Sequence, residues 1–152
     1  MDFVNVDRSN IDILYDLNVQ LAADEDQKDL FTASRSSYRN AFSGSHPVSF
    51  GVLAFINAEP AGFYIYCFKF ATYPGANVLY IEDIYLTEKH RSSENKIHLL
   101  NHAVEQAASG QCCRVEMRVL KSFNIGYEEI EARGFNRIDK WDVYRLEQGG
   151  GL

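Results

Sequence analysis

The stretch LYIEDIYLTEKHR, residues 79–91, carries more information than any other part of the chain. Its apolar first part predicts a β-strand with two adjacent carboxylates, Glu82 and Asp83, in its middle. A short polar loop follows and leads into a predicted helix over residues 94–109. An ionised carboxylate is costly to bury unless it is paired, and the start of a helix is a natural place to bind an anion. The stretch therefore predicts a functional site where this strand meets this helix.

The pattern around this stretch predicts one domain of the α/β (α+β) class, with a mixed central sheet flanked by helices. The strand at 78–86 is apolar on both faces, as expected of a central strand that is covered on both sides. Other strands are predicted at 3–6, 48–56, 61–70, 114–119 and 137–146, and helices at 10–21, 32–40, 94–109 and 125–133. The turn at residues 57–60 predicts a hairpin between the second and third strands.

Composition narrows the class of protein. The 152 residues suit a single core, with the domain predicted at residues 1–148 and a loose tail at 149–152. The formal net charge of −6 argues against nucleic acid as a partner. No apolar run approaches the ~20 residues of a membrane span, and no secretory signal is visible. The three cysteines form no disulfide pattern, so we expect a cytoplasmic protein without membrane partners.

The chain resembles the GNAT (Gcn5-related) N-acetyltransferases over almost its whole length, and within them most closely the diamine (spermidine/spermine) and thialysine N-acetyltransferases. The segments that carry the resemblance are DIL at 12–14, HP at 46–47, GF at 62–63, LYIEDIY at 79–85, RGF at 133–135 and WDVYRL at 141–146. Agreement from start to end is more specific than any one motif.

The resemblance implies transfer of an acetyl group from acetyl-CoA to a small primary amine, a polyamine or a lysine-like molecule. It places the general base at Glu82, and Tyr127 is a candidate for the general acid. It implies that the cofactor is held by two segments, namely Ile84, Tyr85 and Leu86 on the strand and Arg91, Ser92, Ser93, Asn95, Lys96 and Ile97 in the pyrophosphate loop. It also makes the acidic run Asp24, Glu25 and Asp26 a candidate for binding the ammonium of the substrate.

The chain departs from the family pattern where the cofactor binds. Glu94 and Lys96 occupy the two glycine positions of the loop, and Ile130 replaces the tyrosine that protonates the departing thiolate in the family. Glycine allows a backbone to approach a phosphate closely. A second hypothesis is therefore a catalytically impaired GNAT-fold protein that acts as a binding or regulatory module. In either case the resemblance implies a homodimer.

Several residues have a structural interpretation beside the functional one. Asp83 points to the opposite side of its strand from Glu82 and is interpreted as structural. Glu94, in the first turn of a helix, stabilises that helix through its dipole, and Ser92 or Ser93 is its expected N-cap. His98 and His102 share a helix face, but no third ligand accompanies them, so no metal site is predicted.

Overall fold

The computed structural model describes residues 1–119, 126–140 and 142–146. Within these ranges, five strands form one mixed sheet in the order β1-β2-β3-β4-β5. The strands are β1 (Asp2–Asn5), β2 (Phe50–Ile56), β3 (Glu59–Ala71), β4 (Ala76–Leu86) and β5 (Arg114–Met117). The first four pair antiparallel to their neighbours, whereas β4 and β5 are parallel. The predicted α/β domain with a mixed sheet is confirmed.

Helices cover both faces of this sheet. They are α1 (Ile11–Asp24), α2 (Arg35–Ser43), α3 (Ser93–Ser109) and α4 (Tyr127–Ala132), with short 3₁₀ helices at Lys28–Leu30 and Glu88–His90. α1 packs its apolar stripe on one face, against Leu53, Phe63 and Tyr85. α3 and α4 pack on the other face, around Tyr64 and Ile81. The end of β4 is therefore covered by helices on both faces, as the apolar residues at 78–86 predict.

The β2–β3 hairpin confirms the predicted turn. Asn57 and Ala58 form its two-residue loop, with φ angles of 52° and 63°. Positive φ at both central positions defines a type I′ turn, whose twist matches that of the flanking strands. Asparagine tolerates this conformation, but alanine carries a Cβ that makes it unfavourable.

A β-bulge interrupts β4 at Glu82. Ile81 is opposite Tyr66 and Asp83 is opposite Ile65, so Glu82 has no partner residue on β3. An extra residue on one strand reverses the alternation of side chains beyond it. As a result Ile84 joins the α3-side cluster together with Ile81, while Asp83 faces α1.

Several predicted elements differ from the structure in their bounds, and two of the differences are instructive. α2 begins at Arg35 and not near residue 32, because Ser34 forms a capping box with Ser37 that fixes the start. The strand predicted at 137–146 is wrong, since residues 137–140 and 142–146 form no strand. Their apolar side chains Ile138, Val143, Tyr144 and Leu146 are exposed, and an alternating pattern makes a strand only where a neighbouring strand supplies hydrogen bonds.

The remaining predictions of organisation concern the chain ends and the membrane. The tail predicted at residues 149–152 lies outside the described residues. None of the helices in the described ranges combines the length and the apolar character that crossing a bilayer requires.

Candidate active site at the open edge of strand β4

Among the described residues, the second half of β4 has a neighbouring strand on one side only. Its pairing with β5 ends at Ile81, opposite Met117, and among the described residues only β3 pairs with the rest of β4. A Cβ on Gly62 of β3 would lie 2.2 Å from the carbonyl oxygen of Tyr85, so this carbonyl faces β3. Because backbone groups alternate sides along a strand, those of Ile84 and Leu86 face the open edge. The carbonyl of Leu86 accepts a hydrogen bond from Arg91, and the other backbone groups of Ile84 and Leu86 face the side from which an extended ligand could bind.

A cavity of about 410 Å³ lies beside this open edge. Its volume is in the range of small-molecule sites. Its walls come from the end of α1, the bulge in β4 and the segment after β5, and the residues lining it are Leu21, Glu25, Gln27, Glu82, Asp83, Ile84, Arg118, Val119 and Arg145. A smaller cavity beneath the end of α1 shares Glu25 and Asp83 with it. The site therefore combines an open strand edge with a pocket rich in charge.

Glu82, the predicted base, lies at the bulge and forms an ion pair with Arg118. Both side chains are nearly half exposed, 44% for Glu82 and 47% for Arg118. Exposed pairs of this kind contribute at most about 1 kcal/mol to stability, so the ion pair does not prevent a ligand from engaging either group. Arg118 also hydrogen-bonds the hydroxyl of Tyr80.

Asp83, which the sequence pattern indicated to be structural, also lines the cavity. The bulge turns its carboxyl toward α1, where the side chain of Asn18 donates a hydrogen bond to it. Burial raises the pKa of Asp83, and the bond from Asn18 opposes this shift only in part. The feature of the sequence that could have indicated this hydrogen bond is Asn18, a polar residue among the apolar positions of α1. Asn18 is buried in the structure.

Glu25 is the only member of the acidic run that lines the cavity. Burial raises its pKa, and the nearby charge of Asp83 raises it further. Asp26 is exposed and lies two residues beyond the end of α1, in a left-handed conformation with φ of 55°. The cavity thus holds two neighbouring carboxyls, Glu25 and Asp83, that both favour the protonated form or a cationic partner.

Asp24 serves a different purpose, because it holds the end of β4 and the following loop together. The hydroxyl of Tyr85 donates to its Oδ2 at 2.9 Å, and the guanidinium of Arg91 forms an ion pair with the same oxygen. Burial, followed by the hydrogen bond to Asp24 and the charge of that carboxylate, raises the pKa of Tyr85 to about 12. Nε of Arg91 also donates to the carbonyl of Leu86 at 2.8 Å. Arg91, predicted to bind the cofactor, is folded back onto the protein.

The start of α3 satisfies its own backbone. Ser92 is the N-cap, and its hydroxyl accepts a hydrogen bond from the backbone N–H of Asn95 at 3.2 Å. The side-chain amide of Asn95 donates to the carbonyl of His90 at 3.0 Å. The expectation that Ser92 or Ser93 caps this helix is confirmed for Ser92. Glu94 is exposed, and Ile97 is partly buried.

A carboxylate from α4 lies at the position where the helix start would attract an anion. Oε1 of Glu129 accepts hydrogen bonds from Oγ of Ser93 at 2.8 Å and from Nζ of Lys96 at 3.2 Å. The side chains of Lys96 and Glu129 are only 15% and 12% exposed. The bond from Ser93 is the main cause that lowers the pKa of Glu129. The carboxylate is therefore ionised at neutral pH and supplies the negative charge that this end of α3 favours.

The two halves of the predicted acetyl-CoA site thus fit the cofactor to different degrees. The open edge of β4 at Ile84 and Leu86 suits a pantetheine arm. At the loop, Ser93 and Lys96 are engaged by Glu129, which a diphosphate would have to displace. Tyr127 is the first residue of α4, but its side chain lies outside the described part of the structure, so its role stays a prediction.

The histidine pair on α3 has a structural explanation for one of its members. Nδ1 of His102 shares a hydrogen bond of 2.9 Å with the hydroxyl of Tyr64, and its ring stacks on Phe3. Burial lowers the pKa of His102. In the described ranges, no group of three or more His, Cys, Asp or Glu side chains could hold a metal ion.

Comparison with known proteins bears on the fold. No family model and no curated protein sequence matches the chain. Among solved structures, a probable acetyltransferase superposes with a TM-score of 0.74 at 21% identity, covering 99% of this chain and 100% of the other. The chain has the GNAT fold. A predicted acetyltransferase from Clostridium acetobutylicum, solved with acetyl-CoA, has a TM-score of 0.73 at 17% identity over 95% of this chain and 96% of its own.

The chain is also similar to the structure of an acetyltransferase that is named for another class of substrate. An aminoglycoside acetyltransferase from an uncultured soil metagenomic sample, in complex with trehalose, has a TM-score of 0.79 at 8% identity, covering 97% of this chain and 95% of the other. At such identities the likeness concerns the fold alone, and function must be argued from the site.

Proposed function

We propose that the protein transfers an acetyl group from acetyl-CoA to a small primary amine of the polyamine or lysine type. The observation that supports this most directly is the position of the carboxyls of Glu25, Glu82 and Asp83, in one cavity beside the open edge of β4. A cation entering this cavity would meet Glu25 and Asp83, whose burial raises their pKa values and disfavours the ionised form in the absence of a cationic partner.

The residues of the site suit the steps of amine acylation. An amine arrives protonated at neutral pH and must lose a proton before it can attack. In this proposal Glu82, which lies at the bulge and is partly exposed, accepts that proton directly or through water. Acetyl-CoA, when bound, supplies the thioester carbonyl. The backbone N–H groups of Ile84 and Leu86, which face the open edge, would hydrogen-bond that carbonyl oxygen as negative charge develops on it.

A thermal shift measurement followed by an activity assay tests this proposal. Acetyl-CoA at 100 times its dissociation constant would stabilise the protein by ~2.7 kcal/mol. Release of the CoA thiol would then be followed with spermidine and with lysine as acceptors. We expect Glu82→Gln to lower the rate by about 10²- to 10⁴-fold without loss of amine binding. Glu88→Gln, an exposed glutamate beyond the end of β4, is the matched control. Absence of any shift at millimolar acetyl-CoA would exclude the enzyme.

A second function is an amine-binding module that does not transfer acetyl groups. It is supported by the contacts that fill the cofactor side of the site, namely Glu129 on Ser93 and Lys96, and Arg91 on Asp24. The same two measurements separate the hypotheses. Stabilisation by an amine but not by acetyl-CoA would favour the module.

A homodimer through the C-terminal half is a further part of the proposal. Ile138, Val143, Tyr144 and Leu146 are exposed apolar residues in that half, between 61% and 90% accessible. A surface with several such residues favours association with another protein surface. Light scattering coupled to gel filtration would test it, and Val143→Asp combined with Leu146→Asp should give a monomer.

A further inference from the structure

The larger cavity contains positive as well as negative groups, and this mixture limits which amines suit it. Arg118 and Arg145 line the cavity together with Glu25, Glu82 and Asp83. Arg118 is paired with Glu82, and neither arginine lines the smaller cavity beneath α1. Glu25 and Asp83 line both cavities, so the smaller cavity, here called the inner end, is lined by these two acidic residues and by neither arginine.

A simple diamine complements only half of this arrangement. One of its ammonium groups would be paired at the inner end of the cavity. The other would lie beside Arg118, whose positive charge repels it. A guanidinium, by contrast, presents five N–H donors in a planar fork that matches a carboxylate. Glu82 accepts from one of the two terminal nitrogens, Nη2. Tyr80 is also hydrogen-bonded to this guanidinium, and the side chain of Arg118 remains 47% exposed.

We infer that the acceptor is a basic amino acid whose carboxylate binds Arg118, whose side-chain ammonium binds near Glu25 and Asp83, and whose α-amine is acetylated. This inference deepens the proposed function and rests on it for the chemical step. The α-amine is attached to the carbon that carries the carboxylate. A carboxylate on Arg118 therefore brings the α-amine next to Glu82, the residue paired with Arg118.

The chemical step balances with the groups named. The α-ammonium gives a proton to Glu82, and the free amine attacks the acetyl carbonyl. The new C–N bond forms as the C–S bond breaks, and the thiolate leaves. The second proton of the attacking nitrogen is lost to solvent, and Glu82 returns its own proton to the thiolate or to solvent. The products are the Nα-acetyl amino acid and CoA, and no oxidant or metal is needed.

A matched pair of ligands tests the inference. L-lysine and cadaverine have the same carbon chain and the same two amines, and they differ only by the carboxylate. Calorimetric titration of the protein without acetyl-CoA should show lysine binding at least about tenfold more tightly, since a charge-assisted hydrogen bond is lost with cadaverine. Arg118→Gln should bring this ratio close to one. Arg118→Lys should restore part of it, because a point charge lacks the fork geometry.

Arg114→Gln is the control, because Arg114 lies four residues earlier, is paired with Glu116 and does not line the cavity. This variant should keep the preference for lysine. Equal or tighter binding of cadaverine to the unmodified protein would overturn the inference. So would an unchanged ratio in Arg118→Gln, or no binding of either ligand.

The identity of the product separates this inference from the proposed function. If lysine is preferred but no CoA is released from acetyl-CoA, the enzyme hypothesis fails and the carboxylate site remains. If CoA is released faster with cadaverine than with lysine, the enzyme hypothesis holds and the inference fails. When lysine is acetylated, NMR of the product should show Nα-acetyl-lysine, and Nε-acetyl-lysine as the main product would contradict the assignment of the α-amine.

Discussion

Replacing Glu129 with glutamine should increase the affinity for CoA, because the native carboxylate occupies the anion position at the start of α3. The side-chain amide of this variant keeps an acceptor oxygen for Ser93 and Lys96, so the packing of α4 is preserved while one negative charge is removed. The change leaves Lys96 to interact with the incoming diphosphate without a competing carboxylate. The perturbation therefore isolates the charge of Glu129.

The magnitude follows from Coulomb's law. A carboxylate about 6 Å from a phosphate charge costs roughly 2–3 kcal/mol at an effective dielectric constant of 20. Lys96, at 3.2 Å from Glu129, offsets part of this repulsion in the native protein, so we take the lower end. The dissociation constant for CoA should fall by about 30-fold. The gain should shrink as ionic strength rises, because salt screens partly exposed charges.

Isothermal titration with CoA and with pantetheine, which lacks the phosphates, measures the effect. Affinity for pantetheine should not change, since its contacts are with the edge of β4. Glu128→Gln removes the same charge from the neighbouring, exposed position of the same helix and serves as the control. If Glu129→Gln and Glu128→Gln alter CoA affinity equally, or not at all, the account of Glu129 as an internal competitor is refuted.

Two further predictions concern stability. Ala58→Gly should raise the free energy of unfolding by about 0.5–1 kcal/mol, because glycine removes the steric strain of an alanine with positive φ. The greater flexibility of glycine in the unfolded chain offsets part of this gain. The midpoint of thermal unfolding should rise by about 2–4 °C per kcal/mol. Ala108→Gly, in the exposed last turn of α3, should lower stability instead, and a fall with Ala58→Gly would contradict the turn assignment. Asp83→Asn should stabilise the protein at pH 7. Burial raises the folded pKa of Asp83, so the native carboxylate lowers stability as pH rises from the unfolded value of about 3.9 through the folded one. The advantage of the variant should vanish in acid denaturation below that window, and a variant less stable at pH 7 would show that the ionised carboxylate is stabilising.

Much of the fold could be predicted from local sequence. The apolar character of both faces at residues 78–86 predicted an inner strand, and the turn at residues 57–60 predicted the hairpin. The two serines before the apolar stripe of α3 predicted an N-cap at Ser92 or Ser93, and the structure has it at Ser92. These features depend on hydrogen bonds and side-chain periods within a few residues, which is why the order of letters is enough to identify them.

Contacts in the site between residues that are far apart in sequence could be identified only from the tertiary structure. The sequence placed Glu82 and Asp83 on opposite sides of one strand, but only the pairing with β3 showed the bulge that turns Asp83 toward α1. Glu129 lies 36 residues from Ser93 along the chain. The residues next to it in sequence do not indicate that its side chain contacts the start of α3. The predicted strand at 137–146 failed for the same reason. A period-two pattern is a local property, whereas strand pairing, side-chain direction at a bulge and ion pairs between helices are decided by which surfaces the folded chain brings together.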